Sequence, residues 1–158
     1  FFKQLYEAGF LKNGWRLACV YYDENTLNIN QANESEGLAS CLDYFKVLTK
    51  EDPVNARIQA AYEKDFPGNF LFAAGSAATG TYRGLKLWEA AVKEAGKVDR
   101  DGVAAALDHA KIAEGPGGPA EMVPGKRHCK MKMYTAVAKG GNYQIVARSA
   151  GLVDPKEC

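Results

Sequence analysis

Residues 114–125, EGPGGPAEMVPG, separate two kinds of pattern and so limit what this chain can become. Before them, apolar residues recur at helical spacing in three successive stretches; after them, apolar and polar residues alternate. Proline removes a backbone donor and glycine loses the most entropy on ordering, so the divider cannot be a helix. It reads as an extended loop with a short edge strand at 120–123.

The helical stretches have their own start and stop signals. Asp52 can cap a helix whose first turn holds Pro53, where a missing N–H is harmless. Ile58, Ala61, Tyr62 and Phe66 then share a stripe, and Pro67-Gly68 stops it. In 81–96, TYRGLKLWEAAVKEAG, the stripe is Tyr82, Leu85, Trp88, Val92 and Ala95, with Arg83, Lys86, Glu89, Lys93 and Glu94 off it. The small and hydroxylated residues ahead of it, in GSAATG, read as capping material. A third helix is expected over 99–110, capped by Asp99, with Val103, Ala106, Leu107 and Ala110 inward. Beyond the divider, MKMYTAVA and NYQIVAR alternate around Lys139-Gly140-Gly141-Asn142, a hairpin signal because glycine accepts positive φ freely.

The first 50 residues are less regular. FFKQLYEAGF reads like the interior of a helix, with Phe2, Leu5 and Tyr6 on one face and Gly9 at its end. WRLACVYY (15–22) follows the turn signal Asn13-Gly14 and is expected to be a strand. DENTLNINQANESEG is a polar surface loop with room for a helical turn, and LASCLDYFKVL (38–48) suits a strand or an extended crossing segment. The sum is an α/β chain with too few strands to cover its helices. The expectation is a piece of a longer protein.

A formal charge of +1 offers no electrostatic reason to bind nucleic acid or an anionic surface. No apolar run reaches the roughly 18 residues of a membrane helix. Cys19, Cys41, Cys129 and Cys158 have no zinc-like spacing, so no metal site is expected, and their even number allows two disulfides without choosing a pairing.

Several stretches invite a chemical reading. PGGPAEM lacks the GxxxxGK[ST] pattern and is followed by no helix N-terminus, which removes a phosphate loop. His128 and Cys129 are adjacent, so on an extended segment they face opposite ways and make a poor nucleophile–base pair. His109 falls at a helix end, where a cation suits the dipole. VYYDEN (20–25) is different, because a purely structural turn needs neither of its tyrosines. Open α/β sheets bind ligands beyond the carboxyl ends of their strands. There Tyr21 or Tyr22 can offer an apolar face with a hydroxyl, and Asp23 or Glu24 can pair with an ammonium or accept from an amide. Thr79 or Tyr82 is a second candidate for lining a cleft.

Taken in order, YYDENTLN…EGLASCLDYF, DPVNARIQAAYEKDFPG, TYRGLKLWEAAVKEAGKVDRDGVAAALDHAKIAEGPGGPAEMVP and HCKMKMYTAVAKGGNYQIV are similar to one family. They resemble the C-terminal portion of type I periplasmic binding proteins, in the group serving ABC importers of branched-chain amino acids, urea and short amides. The resemblance runs over nearly the whole chain, as an ordered set of segments rather than one diagnostic motif. It implies a partial two-lobed fold with Rossmann-like lobes whose N-terminal half is missing. Residues 1–45 would be part of the second lobe and a hinge crossing, 46–118 the helical part of the first lobe, and 119–158 the return crossing and C-terminal hairpin of the second.

The same resemblance implies a small-molecule ligand clamped between lobes, no catalytic residues, no cofactor, a membrane permease as partner, and a periplasmic location. Ligand contact would fall to Asp23 or Glu24, with Tyr22 as neighbour; Tyr82 of the long helix joins them as a candidate from the reading of the residues alone. Export also makes at least one disulfide the expectation. Three other readings compete: a ligand sensor of the same fold, a thiol hydrolase built on Cys129, and a fragment that self-associates through exposed apolar helix faces.

Overall fold

The computed structural model describes residues 1–68 and 73–156. In chain order these form α1 (Phe2–Glu7), β1 (Ala18–Val20), α2 (Glu24–Leu27), β2 (Ala39–Leu42), a 3₁₀ turn (Lys46–Lys50), α3 (Pro53–Asp65), α4 (Ser76–Ala95) and α5 (Arg100–Leu107). Then come β3 (Lys111–Ile112), β4 (Ala120–Met122), β5 (Cys129–Met131), β6 (Tyr134–Lys139) and β7 (Asn142–Arg148).

Two sheets result. The first has the order β1-β2-β6-β7, with β1 parallel to β2 and the other neighbours antiparallel. A parallel pair needs a crossover, which the loop containing α2 provides. Gly140 and Gly141, both at positive φ, close the β6–β7 hairpin. β1 and β7 are the outer strands among the described residues, and Val20 at the end of β1 is 79% exposed. Leu27, Leu38, Leu42, Phe45 and Tyr143 fill the core behind this sheet. Each fully buried leucine there stabilises the fold by about 2 kcal/mol.

The second sheet is small, β3-β4-β5, and antiparallel throughout. It packs under α4 and α5 around Leu87, Ala91, Val103, Ala106 and Ala120. Asp99 caps α5 by accepting from the Gly102 amide at 2.8 Å, as its position implies. Asp52 does the same for α3, accepting from Val54 and Asn55.

The structure departs from the sequence reading in several places. The alternating run 131–138 is two strands, because Lys132 and Met133 carry the chain from one sheet to the other. The only mark of the step is the adjacent apolar pair Met133-Tyr134, which shifts the alternation by one residue. Ala120–Met122 is the central strand of its sheet rather than an edge. The expected strand 15–22 shortens to Ala18–Val20. α4 starts at Ser76, taking in the small residues read as capping material.

The buried faces of two helices also differ. On α3 the expected stripe is mostly outside, with Phe66 57% exposed, while Val54, Asn55 and Gln59 are buried. Hydrogen bonds explain the polar inner face. Asn55 accepts from the Tyr44 hydroxyl at 2.7 Å, and Gln59 donates to the Ala74 carbonyl and accepts from its amide. On α4 the inner line is Thr79, Arg83, Leu87 and Ala91, whereas Leu85 and Trp88 face outward at 62% and 47% exposure.

A cleft between two cores

β1 and β2 run parallel, so their carboxyl ends lie together, where Val20, Tyr21, Cys41, Leu42 and Asp43 open onto a cleft of about 780 Å³. The opposite wall comes from α4, through Ser76, Arg83 and Leu87, and from β5, through Cys129 and Met131. The cleft therefore lies between the two cores. A smaller cavity of about 400 Å³ is lined by Glu51, Asp52, Lys132, Tyr134 and Arg148 among others. Arg148 and Glu51 form an ion pair there.

Tyr21 is the unusual residue of the cleft. Its φ is +60°, a left-handed conformation that costs a bulky L residue about 1–2 kcal/mol. Its side chain is 80% exposed, so no core packing explains the strain. Observed strain of this kind is a pointer to a functional position.

The other expected site residues do different things. Tyr22 packs edge-on against Phe2, and its carbonyl accepts from the Tyr143 hydroxyl at 2.8 Å. Asp23 is buried and accepts from the Thr26 amide and hydroxyl, and from the Ser76 amide at 2.9 Å and hydroxyl at 3.1 Å. Glu24 accepts from the Val47 amide at 3.2 Å, but its second carboxylate oxygen is buried without a partner. Burial raises its pKa, the backbone hydrogen bonds opposing. Tyr82 lies on α4 beneath the Lys86 ammonium. Tyr22, Asp23, Glu24 and Tyr82 do not line the larger cleft, and Tyr21 does. Thr79 is fully buried and donates to carbonyls of its own helix. The sequence reading weighed Tyr21 but not Val20 or Arg83. Only the backbone conformation singles out Tyr21.

Arg83 anchors the floor. It is buried, paired with Asp43 and donates to the Pro116 carbonyl at 2.7 Å. The glycines of the divider explain themselves beside it. A Cβ on Gly117 would sit 2.2 Å from the Asp43 carbonyl oxygen. The Gly117 amide donates to Asp52, and its carbonyl accepts from the Tyr134 hydroxyl, both at 2.8 Å. Three chain segments between the sheets are thus stitched at one residue with no side chain.

Cys19, Cys41 and Cys129 are free, so the expected disulfide is not found among the described residues, and Cys158 lies outside them. Burial raises the Cys129 pKa, with a smaller opposing effect of Arg83, which disfavours a thiolate. His128 beside it is exposed. No group of three or more metal-ligating side chains occurs among the described residues, and no helix among them is long and apolar enough to cross a membrane.

Among curated proteins no sequence matches the chain. Among solved structures it resembles a solute-binding protein of an ABC transporter from Rhodopseudomonas palustris BisB5 in complex with 3,4-dihydroxybenzoic acid. That match has a TM-score of 0.78 and 26% identity, covering 98% of this chain and 42% of that one. An amino acid ABC transporter substrate-binding protein from Pseudomonas fluorescens Pf-5 matches at TM-score 0.79 and 15% identity, covering 98% and 41%. A leucine-binding protein from Thermotoga maritima MSB8 matches at 0.70 and 15%, covering 94% and 42%. The last two identities speak for the fold alone. The chain spans about two fifths of the length of these structures, so it forms part of the type I periplasmic binding protein fold. The periplasmic binding protein profile matches residues 1–142. With the fold and this match in agreement, the chain belongs to the periplasmic binding protein family.

Proposed function

We propose that the whole protein is the extracytoplasmic solute-binding subunit of an ABC importer, which captures a small metabolite and hands it to a membrane permease. In this reading the sheet β1-β2-β6-β7 belongs to one lobe and the α4–α5 body to the other. The segments through Asp43, Gly117 and Lys132-Met133 form the hinge. The solute binds rather than reacts, in keeping with the family the chain belongs to.

The observation that carries the reading is the cleft at the paired carboxyl ends of β1 and β2, lined by a strained and exposed Tyr21. Val20 and Tyr21 are its direct contacts from this half, while Tyr22, Asp23 and Glu24 build the loop that holds them. Leu42, Leu87 and Met131 give the cleft an apolar lining. That suits a solute with a polar head and an apolar or aromatic body, such as a branched-chain amino acid or an aromatic acid. Urea and short amides offer little such body.

Titration calorimetry of the full-length protein with leucine, 3,4-dihydroxybenzoate and urea tests this. One of the first two is expected to bind, and Tyr21→Ala to weaken it about tenfold, or 1.4 kcal/mol. Failure of all three to bind, or an unchanged affinity in the variant, would remove the proposed site.

A further inference from the structure

α4 is the longest helix described, yet its N-cap is Gly75, which has no side chain to offer the first amides. Four N–H groups at a helix start lack intrahelical partners, and normally the N-cap side chain takes one. Here the acceptor comes from another part of the chain. Asp23, at the end of the loop leaving β1, accepts from the Ser76 amide and hydroxyl through one oxygen. Its other oxygen accepts from the Thr26 amide and caps α2. One carboxylate thus caps two helices from two different cores.

Its neighbour doubles the contact. Asn25 donates to the Ala73 carbonyl at 3.1 Å and accepts from the Ala73 amide at 2.9 Å, reproducing a backbone pair with a side chain. The fit leaves no spare room. A Cβ on Gly75 would stand 2.4 Å from an Asp23 oxygen and 2.6 Å from the Asn25 amide nitrogen. The missing side chain at the cap is the space the acid fills.

We infer that Asp23 and Asn25 are a closure latch: docking on residues 73–76, they supply the missing cap of α4 only when the two cores are together. This rests on the proposal that the cores close on a solute. Opening withdraws the carboxylate from the α4 amides and leaves them to water, so the charge and the helix dipole both favour the closed state. A latch of this kind acts on release rather than capture, because the contacts it adds exist only after closure. Asp23 is a positioning residue, holding Tyr21 over the cleft without touching the solute.

The test uses the full-length protein and its Gly75→Ala, Asp23→Ala and Asp23→Asn variants. Gly75→Ala leaves the α2 cap and the loop sequence intact but fills the docking space. It is expected to speed hydrogen exchange at the Ser76 amide and to enlarge the solute-free particle in small-angle scattering. With leucine or 3,4-dihydroxybenzoate it is expected to release solute about tenfold faster at an unchanged association rate. Asp23→Ala should behave likewise. Asp23→Asn, which keeps an acceptor for Ser76, should recover part of the slow release. Wild-type exchange and release in Gly75→Ala would overturn the latch. If Gly75→Ala does not fold, equal release rates in Asp23→Ala and wild type overturn it instead. Should neither solute bind the wild type while exchange and scattering still respond, the proposed solute site falls and the latch stands.

Discussion

Glu24 is the least well served of the charged groups in the loop after β1. One oxygen has the Val47 amide and the other has no partner in a buried position. Desolvation therefore holds its carboxyl above the ordinary 4.5, with Asp23 adding a smaller push in the same direction. A raised folded-state value means that folding favours the protonated form. That stability is fully present below the ordinary value and is lost as pH rises through the raised one. Glu24→Gln, neutral at every pH, is expected to raise Tm by about 2–4 °C near pH 7.5 and to give no gain near pH 4. Calorimetry at both pH values checks this, and an equal gain at both would remove the buried-charge explanation. Residue-scale roles were legible in the sequence where the partner is local. Asp52 and Asp99 cap helices that begin one residue later. Asp23 read as a candidate ligand-pairing acid, and its tie to Ser76 was not legible because that partner is 53 residues away.

At the scale of elements, α4 shows how a correct helix can carry a wrong face. Spacing identified its existence and its Gly96 terminus, where the left-handed cap stands at φ +67°. It put Tyr82, Leu85 and Trp88 inside and Arg83 outside, because a charge off the apolar stripe normally faces water. Two circumstances reverse this. Asp43 and the Pro116 carbonyl take the two terminal nitrogens of the guanidinium inside, its Nε staying buried without a partner, and the Leu85–Trp88 face is left exposed by the described residues. A helix apolar on two sides belongs between two layers, and only one is present. The Arg83–Asp43 pair is itself testable. Removing one partner strands a buried charge, so Asp43→Ala is expected to destabilise by about 3–5 kcal/mol. Arg83→Met added to it should restore a large part, since an apolar replacement strands nothing. Denaturant melts of the two variants decide the matter. If the double variant is as unstable as the single one, desolvation is not what the pair opposes.

For the whole molecule, the order of helices and hairpin, and the shortage of strands, gave the fold class and its partial character. The switch between sheets at Lys132-Met133 left one trace, the adjacent apolar Met133 and Tyr134 that break the alternation, which is too slight to separate two strands by pattern alone. The position of the cleft was legible in outline from the β1 loop, whereas its second wall depends on long-range packing that no local pattern encodes. This has a direct consequence for binding. The chain covers 42% of the length of the R. palustris BisB5 structure, so a site shared by two lobes is incomplete in it. The isolated 158 residues are expected to hold leucine or 3,4-dihydroxybenzoate no more tightly than about 1 mM by calorimetry. Micromolar binding by this piece would contradict the shared site.

The outer position of β1 carries a practical consequence. One side of that strand has β2, and no strand among the described residues pairs with the other, beside an uncovered Val20. Such a border recruits any extended peptide, including another copy of itself. Purified alone, the 158-residue piece would then thicken and scatter light as its concentration rises, and a lysine at Val20 would be a simple way to keep it dispersed.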